Sequence, residues 1–162
     1  MAAGGARGRR AGLQWRMAGF TFAETMSGTW TPADDISIAR TFRFTVQVHS
    51  GPLADFRKDQ VAEMEGEIEA EGLTTGSPLV GTMVLRPFLG RMIRYEFEFD
   101  GDDGTRYRFA GQKDIRWTDP VRTWTELPGE ITDEDGAVIG TARTRFHLRR
   151  DALSFLRSWR PA

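Results

Sequence analysis

The segment RYEFEFDGDDGTRYRFAGQK, residues 94–113, decides the fold class because aromatic and charged residues alternate along both of its arms. A period of two is typical of β-strands that have one apolar face. A three-residue loop over 102–104, closed by a left-handed Gly104, satisfies both faces of the hairpin at once. A shift of one residue would mix the faces, so the pattern predicts a single register. This register pairs Phe99 with Tyr107, Phe97 with Phe109, Asp100 with Arg106, Glu98 with Arg108, and Tyr95 with Gly111.

The composition indicates one globular domain and excludes several classes of site. The chain has 162 residues, of which 40% are apolar and 28% charged. A net charge of −1 indicates no basic footprint for nucleic acid. The absence of cysteine excludes disulfides, thiolate metal sites and cysteine nucleophiles. It also suits a reducing compartment, so we expect a cytoplasmic location. No apolar run approaches the roughly 20 residues of a membrane-spanning helix.

The first residues differ in composition from the rest of the chain. Residues 1–16 are rich in glycine, alanine and arginine, and no apolar segment of a secretion signal follows Arg9 and Arg10. We therefore expect a disordered N-terminal tail over 1–16 and a single β-barrel domain over 17–162.

Alternation predicts further strands over 20–27, 40–49, 63–71 and 79–85, with a short helix over 53–61 and a loop over 74–78. Two charged residues fall on the apolar faces of their strands. Glu24 lies between Phe22 and Met26, and Lys113 follows Phe109 and Gly111. Gly111 lies opposite Tyr95 in the predicted hairpin, and we expect the Tyr95 ring to cover the bare backbone of this glycine.

The strand over 63–71 carries a glutamate at every second position, which predicts a solvated acidic face. Alternate residues of a strand lie roughly 6.6–6.8 Å apart, which is unsuitable for sharing one hard cation. The two histidines, His49 and His147, fall on polar strand faces, where ordinary surface histidines are expected. We therefore predict no metal site.

A second hairpin is predicted around residues 133–136, where Gly136 takes the place that Gly104 has in the first. Within 121–127 two faces compete, and we favour the face of Trp124 and Glu126 as the inward one. Further on, Asp151 can cap a short helix with an apolar stripe that would seal the barrel. The predicted pairs are Ile131 with Ile139, Trp124 with Phe146, and Glu126 with Thr144.

About eight strands with short connections predict an all-β fold. We expect an antiparallel up-and-down barrel of the lipocalin or calycin type, or a sandwich, with a short C-terminal helix. Gly28-Thr29-Trp30 resembles the Gly-x-Trp of lipocalins, in which the tryptophan plugs the barrel base beneath an arginine of the last strand. Arg149 or Arg150 would take that place, although here the motif ends the first predicted strand instead of starting it.

A second resemblance rests on the order and spacing of three segments, over 22–28, 109–115 and 146–156. They resemble a small domain that accompanies cholesterol-oxidase-like flavoproteins of the glucose–methanol–choline class, over about 19–160. The flavin-binding part of those proteins has no counterpart here, so oxidase activity does not carry over. The resemblance implies an accessory β-domain that binds sterol- or lipid-like molecules, and a flavin-dependent oxidoreductase as a possible partner.

Our leading hypothesis is a non-enzymatic barrel that binds a small apolar ligand or assists a partner oxidoreductase, without a cofactor. It competes with a barrel-type isomerase or cyclase, in which inward Glu24, Lys113 and Glu126 would act as acids or bases beside two tyrosine hydroxyls. A third reading is a structural interaction module whose acidic stripe is the contact surface. Nucleotide-binding, zinc-protease and serine-hydrolase motifs are absent from the sequence. The predicted ligand-binding residues are Glu24, Tyr95, Phe97, Tyr107, Phe109, Lys113, Trp124 and Glu126.

Overall fold

A computed structural model describes residues 19–147 and 160–161. The strands of the described chain are β1 (Phe20–Pro32), β2 (Arg40–Ser50), β3 (Val61–Ala70), β4 (Thr74–Arg86), β5 (Met92–Asp100), β6 (Arg106–Asp114), β7 (Glu126–Thr132), β8 (Val138–Arg145) and β9 (Arg160–Pro161). Strands β1 to β8 pair antiparallel in chain order, and β1 also pairs with β8. This pairing closes the sheet into an eight-stranded barrel, so the barrel is confirmed and the sandwich is excluded. The short β9 adds to the start of β1.

The connections between strands make the two ends of the barrel different. Short turns and loops over 33–39, 71–73, 101–105 and 133–137 join strands at one end, which we call the turn end. The opposite end, which we call the helical end, carries helix α1 (Leu53–Asp59), the loop over 87–91 and helix α2 (Pro120–Thr125). The predicted disordered tail and the predicted helix from Asp151 lie outside the described residues, apart from the two residues of β9.

The central hairpin has the predicted register. Phe97 lies opposite Phe109, and Glu98 lies opposite Arg108. Gly104 adopts a φ of +84°, and its N–H donates to the carbonyl of Gly101 at 3.0 Å. Both observations match a three-residue loop that ends in a left-handed glycine. Alternation alone was sufficient here because one face of each strand is buried.

Tyr95 lies opposite Gly111 as predicted, but the ring nearest to Gly111 is that of Phe109. A Cβ added to Gly111 would lie 2.7 Å from the Phe109 ring, and one added to Gly129 would lie 2.4 Å from it. The Phe109 ring therefore occupies the space that side chains at these two positions would fill. Tyr95 is directed elsewhere, towards Glu24.

The predicted loop over 74–78 is wrong, since β4 already begins at Thr74. The carboxylate of Asp102, in the loop of the central hairpin, accepts hydrogen bonds from the Thr74 hydroxyl at 3.1 Å and from the Thr75 N–H at 3.0 Å. These bonds hold the start of β4 in an extended conformation. A contact from a distant loop thus outweighs the turn preference of Gly76 and Pro78.

The second hairpin keeps its predicted turn but not its predicted register. Gly136 has a φ of +82°, as expected. An irregularity between Ile131 and Thr132 places Ile131 opposite Gly140 instead of Ile139. The pairing of Glu126 with Thr144 is therefore wrong as well, because one extra residue in a strand moves every later pair. Leu127 lies opposite Thr144, and Glu126 lies opposite Arg145.

The predicted strand over 121–125 is also wrong, since these residues belong to α2. Pro120 occupies the first turn of the helix, where its missing N–H costs nothing. The helix ends at Thr125, whose hydroxyl donates to the carbonyl of Val121 at 2.7 Å. Because β7 starts only at Glu126, the inward face is that of the fully buried Leu127. The favoured Trp124 and Glu126 face is not the inward face of a strand.

Aromatic side chains fill the barrel towards the turn end. The rings of Phe97 and Phe109 stack with centroids 4.9 Å apart, and Phe44 lies 5.0 Å from Phe97. Trp30 closes this end, and its indole N–H donates to the carbonyl of Glu71 at 3.0 Å. The guanidinium that covers Trp30 belongs to Arg40 of β2, 5.4 Å from the ring centroid. Arg149 and Arg150, predicted for that place, lie outside the described residues.

Gly81 offers a test of how tightly the strands approach each other. A Cβ at Gly81 would lie 1.9 Å from the carbonyl oxygen of Glu96 on the neighbouring strand. We expect Gly81→Ala to lower the free energy of unfolding by about 1–3 kcal/mol, the usual cost of overpacking. Gly51→Ala is the matched control, because nothing lies within 4 Å of its added methyl group. Urea unfolding of both variants is the measurement, and equal stabilities would contradict the close approach.

Candidate functional site

A cavity of about 870 Å³ lies inside the helical end of the barrel. Its strand walls are apolar and include Phe22, Met83, Leu85 and Ile93. Side chains of α1, of the loop over 87–91 and of α2 border it towards the outside, among them Phe56, Phe88, Val121 and Trp124. The aromatic packing of the turn end meets the cavity at Tyr95, whose ring lies 6.4 Å from that of Phe44.

Three polar side chains form the inner floor of the cavity: Glu24 from β1, Tyr95 from β5 and Lys113 from β6. Lys113 Nζ lies 3.1 Å from Glu24 Oε1. The Tyr95 hydroxyl donates to Glu24 Oε2 at 2.8 Å. The side chains of Lys113 and Glu24 are only 3% and 7% exposed, so this is a buried ion pair. We call these three residues the polar floor.

The polar floor follows from alternation together with closure of the barrel. Glu24 and Lys113 occupy inward positions of strands that do not pair with each other, so their contact crosses the interior. A single buried charge costs several kcal/mol, whereas a pair with good geometry and further hydrogen bonds offsets most of that cost. Tyr95 supplies the further bond, and its ring lies 5.0 Å from the Lys113 ammonium.

Burial raises the pKa of the Tyr95 hydroxyl well above its usual value of 10.0. The negative charge of Glu24 and the hydrogen bond between the two groups raise this pKa further. The hydroxyl therefore stays protonated at neutral pH and continues to donate to Glu24. Both carboxylate oxygens of Glu24 thus accept a hydrogen bond from a buried donor.

Within the described residues, Lys113 Nζ has a single hydrogen-bond acceptor, Glu24 Oε1. An ammonium group carries three N–H donors. Donors of Lys113 are therefore left without an acceptor among the described residues, at the floor of an apolar cavity.

The predicted site residues divide into three groups. Glu24, Tyr95, Lys113 and Trp124 line the cavity, although Trp124 does so from α2 and not from a strand. Glu126 lies on the outer face, where it forms an ion pair with Arg145. Phe97, Phe109 and Tyr107 belong to the packed aromatic core and do not line the cavity.

Sequence reasoning missed several cavity residues at the helical end. Leu85 and Ile93 continue the inward alternation of their strands, which was a usable signal. Phe56 belongs to the short helix that was predicted over 53–61, but its position over the barrel depends on how that helix packs. Val121 was predicted to lie in a strand, so its position at the cavity was not predicted.

The acidic stripe on β3 is solvent-exposed as predicted, with Glu63, Glu65, Glu67 and Glu69 on the outer face. Among the residues that the structure describes, no group of three metal-ligating side chains comes together. His49 lies 3.7 Å from Glu65, whereas His147 lies 3.0 Å from the Ser27 hydroxyl. The two histidines thus have separate partners.

No family model, curated protein or solved structure matches the chain. The resemblances to lipocalins and to the oxidase-associated domain therefore stay predictions. The fold itself defines the class: a closed eight-stranded antiparallel barrel with a cavity at one end. In the described part of the chain, no helix is long and apolar enough to cross a membrane.

We expect strong energetic coupling between Glu24 and Lys113, which form the ion pair of the polar floor. We expect Glu24→Ala to lower the free energy of unfolding by roughly 3–5 kcal/mol, because it leaves Lys113 buried without its counter-charge. Lys113→Met should be destabilising for the reciprocal reason. The double variant should lose less than the sum of the single losses. Thermal and urea unfolding of all three variants test this, and small additive losses would remove the coupling.

The raised pKa of Tyr95 predicts that the protein loses stability at alkaline pH. Its folded-state pKa lies above the unfolded value, so its contribution is complete below the unfolded value of 10.0 and is lost as the pH rises towards the folded-state pKa. We expect wild type to lose stability above pH 10.0 more steeply than Tyr95→Phe, by up to about 1.4 kcal/mol per pH unit. Urea unfolding at increasing pH measures the difference.

A spectroscopic control is available because the chain contains two tyrosines. In Tyr107→Phe, phenolate absorbance reports on Tyr95 alone. We expect this variant to show no phenolate signal near pH 10.0 while it remains folded. Titration of the folded variant with an ordinary tyrosine pKa would contradict the burial of this hydroxyl.

Proposed function

We propose that the protein is a non-enzymatic β-barrel that binds a small apolar ligand in the cavity at its helical end. The observation that carries this proposal is the combination of an apolar cavity of about 870 Å³ with a floor of three polar groups. Small-molecule sites are typically cavities of about 300–1,000 Å³ with mostly apolar walls and a few placed polar groups. A sterol- or lipid-like molecule suits both the size and the walls.

The geometry of Glu24 favours binding over catalysis. In an isomerase or cyclase this carboxylate would take a proton from the substrate. Here each of its oxygens already accepts a hydrogen bond, one from Lys113 and one from Tyr95. Glu126, the other carboxylate considered for this role, lies outside the barrel beside Arg145. An enzyme of this type is therefore the less well supported alternative.

Assistance to a partner oxidoreductase is a separate part of the proposal. It is supported by the resemblance of three segments to the domain that accompanies cholesterol-oxidase-like flavoproteins. The acidic outer face of β3 offers a polar surface for contact with a partner. A structural interaction module would use the same surface.

Filling the cavity should abolish binding without disturbing the polar floor. Leu85 of β4 lines the cavity, and Leu85→Trp places a large ring inside it. Val80 of the same strand is 62% exposed, so Val80→Trp is the matched control on the outer face. We expect an apolar fluorescent probe to bind wild type and Val80→Trp with one saturable site, and Leu85→Trp at least about tenfold more weakly, or 1.4 kcal/mol.

Native mass spectrometry of the same three proteins gives the stoichiometry. Circular dichroism should confirm that Leu85→Trp has kept the fold. A wild-type protein without saturable binding, or a folded Leu85→Trp variant that binds the probe as wild type does, would overturn the proposed function.

A further inference from the structure

We propose that the ligand is a neutral molecule with one carbonyl or hydroxyl oxygen, which accepts a hydrogen bond from Lys113 at the floor of the cavity. This inference rests on the proposed function and specifies the chemistry of the ligand. It depends on three observations: the unused donors of Lys113, the charge balance of the polar floor, and the apolar walls above it.

The donors of Lys113 require an acceptor from the ligand. The side chain is 3% exposed, and in the described chain Glu24 Oε1 is its one hydrogen-bond acceptor, at 3.1 Å. The Tyr95 ring lies 5.0 Å away and attracts the positive charge, but its hydroxyl is used as a donor to Glu24. Buried donors without an acceptor are unfavourable, so an oxygen placed beside Nζ is stabilised.

The charge balance decides which kind of oxygen fits. Glu24 and Lys113 form a pair of opposite charges whose sum is zero. A ligand carboxylate would add a second negative charge near Glu24 and leave a net charge in a buried, apolar site. A carbonyl or hydroxyl oxygen accepts a hydrogen bond from Lys113 and leaves the ion pair balanced. The polar floor therefore selects against fatty acids and in favour of neutral alcohols and ketones.

The other polar groups that line the cavity do not compete for this role. The Thr125 hydroxyl donates to carbonyls of its own helix, at Val121 and Arg122. Gln60 follows α1 at the helical end and is only half-buried. A ligand oxygen at the floor thus places the apolar remainder of the molecule against Phe22, Leu85 and Ile93.

A series of linear ligands of equal chain length tests this selectivity on the wild-type protein. The series contains an alkane, a primary alcohol, a methyl ketone and the ionised fatty acid, each used to displace the fluorescent probe at neutral pH. We expect the alcohol and the ketone to bind at least about tenfold more tightly than the alkane and the fatty acid. The same probe and the same conditions are used for every ligand, so the measurements differ only in the headgroup of the ligand.

Two variants test the two members of the ion pair. Lys113→Met removes the donor together with its charge, so the ketone, which cannot donate to Glu24, should bind with an affinity similar to that of the alkane. Glu24→Gln keeps the size of the side chain but leaves Lys113 without its counter-charge, so the fatty acid should become the preferred ligand. Circular dichroism checks that each variant is folded, and the wild-type series decides the question by itself where a variant is not.

The outcomes distinguish this inference from the proposed function. If wild type binds the alkane, alcohol and fatty acid equally, the cavity binds apolar ligands but the inference about the headgroup is wrong. If wild type prefers the fatty acid, the charge argument is overturned. If no member of the series displaces the probe, and the probe itself does not bind saturably, the proposed function and the inference both fail.

Discussion

Two opposite charges buried in one barrel must lie against each other, and this constraint connects β1 with β6 across the interior. Neither strand pairs with the other, so no backbone hydrogen bond enforces the contact between Glu24 and Lys113. A change of strand register would turn one of these side chains outwards and leave the other charge without water or partner. The ion pair therefore favours a single way of closing the sheet. Tyr95 completes it with a hydroxyl that burial keeps protonated.

The polar floor also marks the boundary between a filled and a hollow half of the barrel. On one side of it, phenylalanine rings pack at centroid distances near 5 Å, as in Phe97 with Phe109. The Tyr95 ring belongs to both halves, since it lies 6.4 Å from the Phe44 ring and also lines the cavity. On the other side, apolar walls and two short helices leave space. Small barrels are often filled by side chains, so the open half is the feature that points to a ligand.

Local patterns predicted the parts of the structure that depend on near neighbours. The central hairpin follows from alternation and from the left-handed position of Gly104. The second hairpin has the same turn chemistry, yet its register moves at the irregularity beside Ile131, which no residue pattern marks. A strand was wrongly predicted over 121–125, because threonine and tryptophan alternate there as they do in a strand. Pro120 in the first helical turn was the overlooked signal.

The sequence by itself determined the class of fold and placed Glu24, Tyr95 and Lys113 on the apolar faces of their strands, because alternation depends only on the geometry of a single strand. Only the tertiary structure decided that these three side chains meet, since their strands come together through closure of the whole sheet. It likewise decided that Phe97 and Phe109 fill one half while Leu85 and Ile93 border a cavity. Inward-facing apolar residues can therefore either fill the barrel or border the cavity. Which of the two they do depends on the side chains that lie across the barrel, and sequence spacing does not show how far away those side chains are.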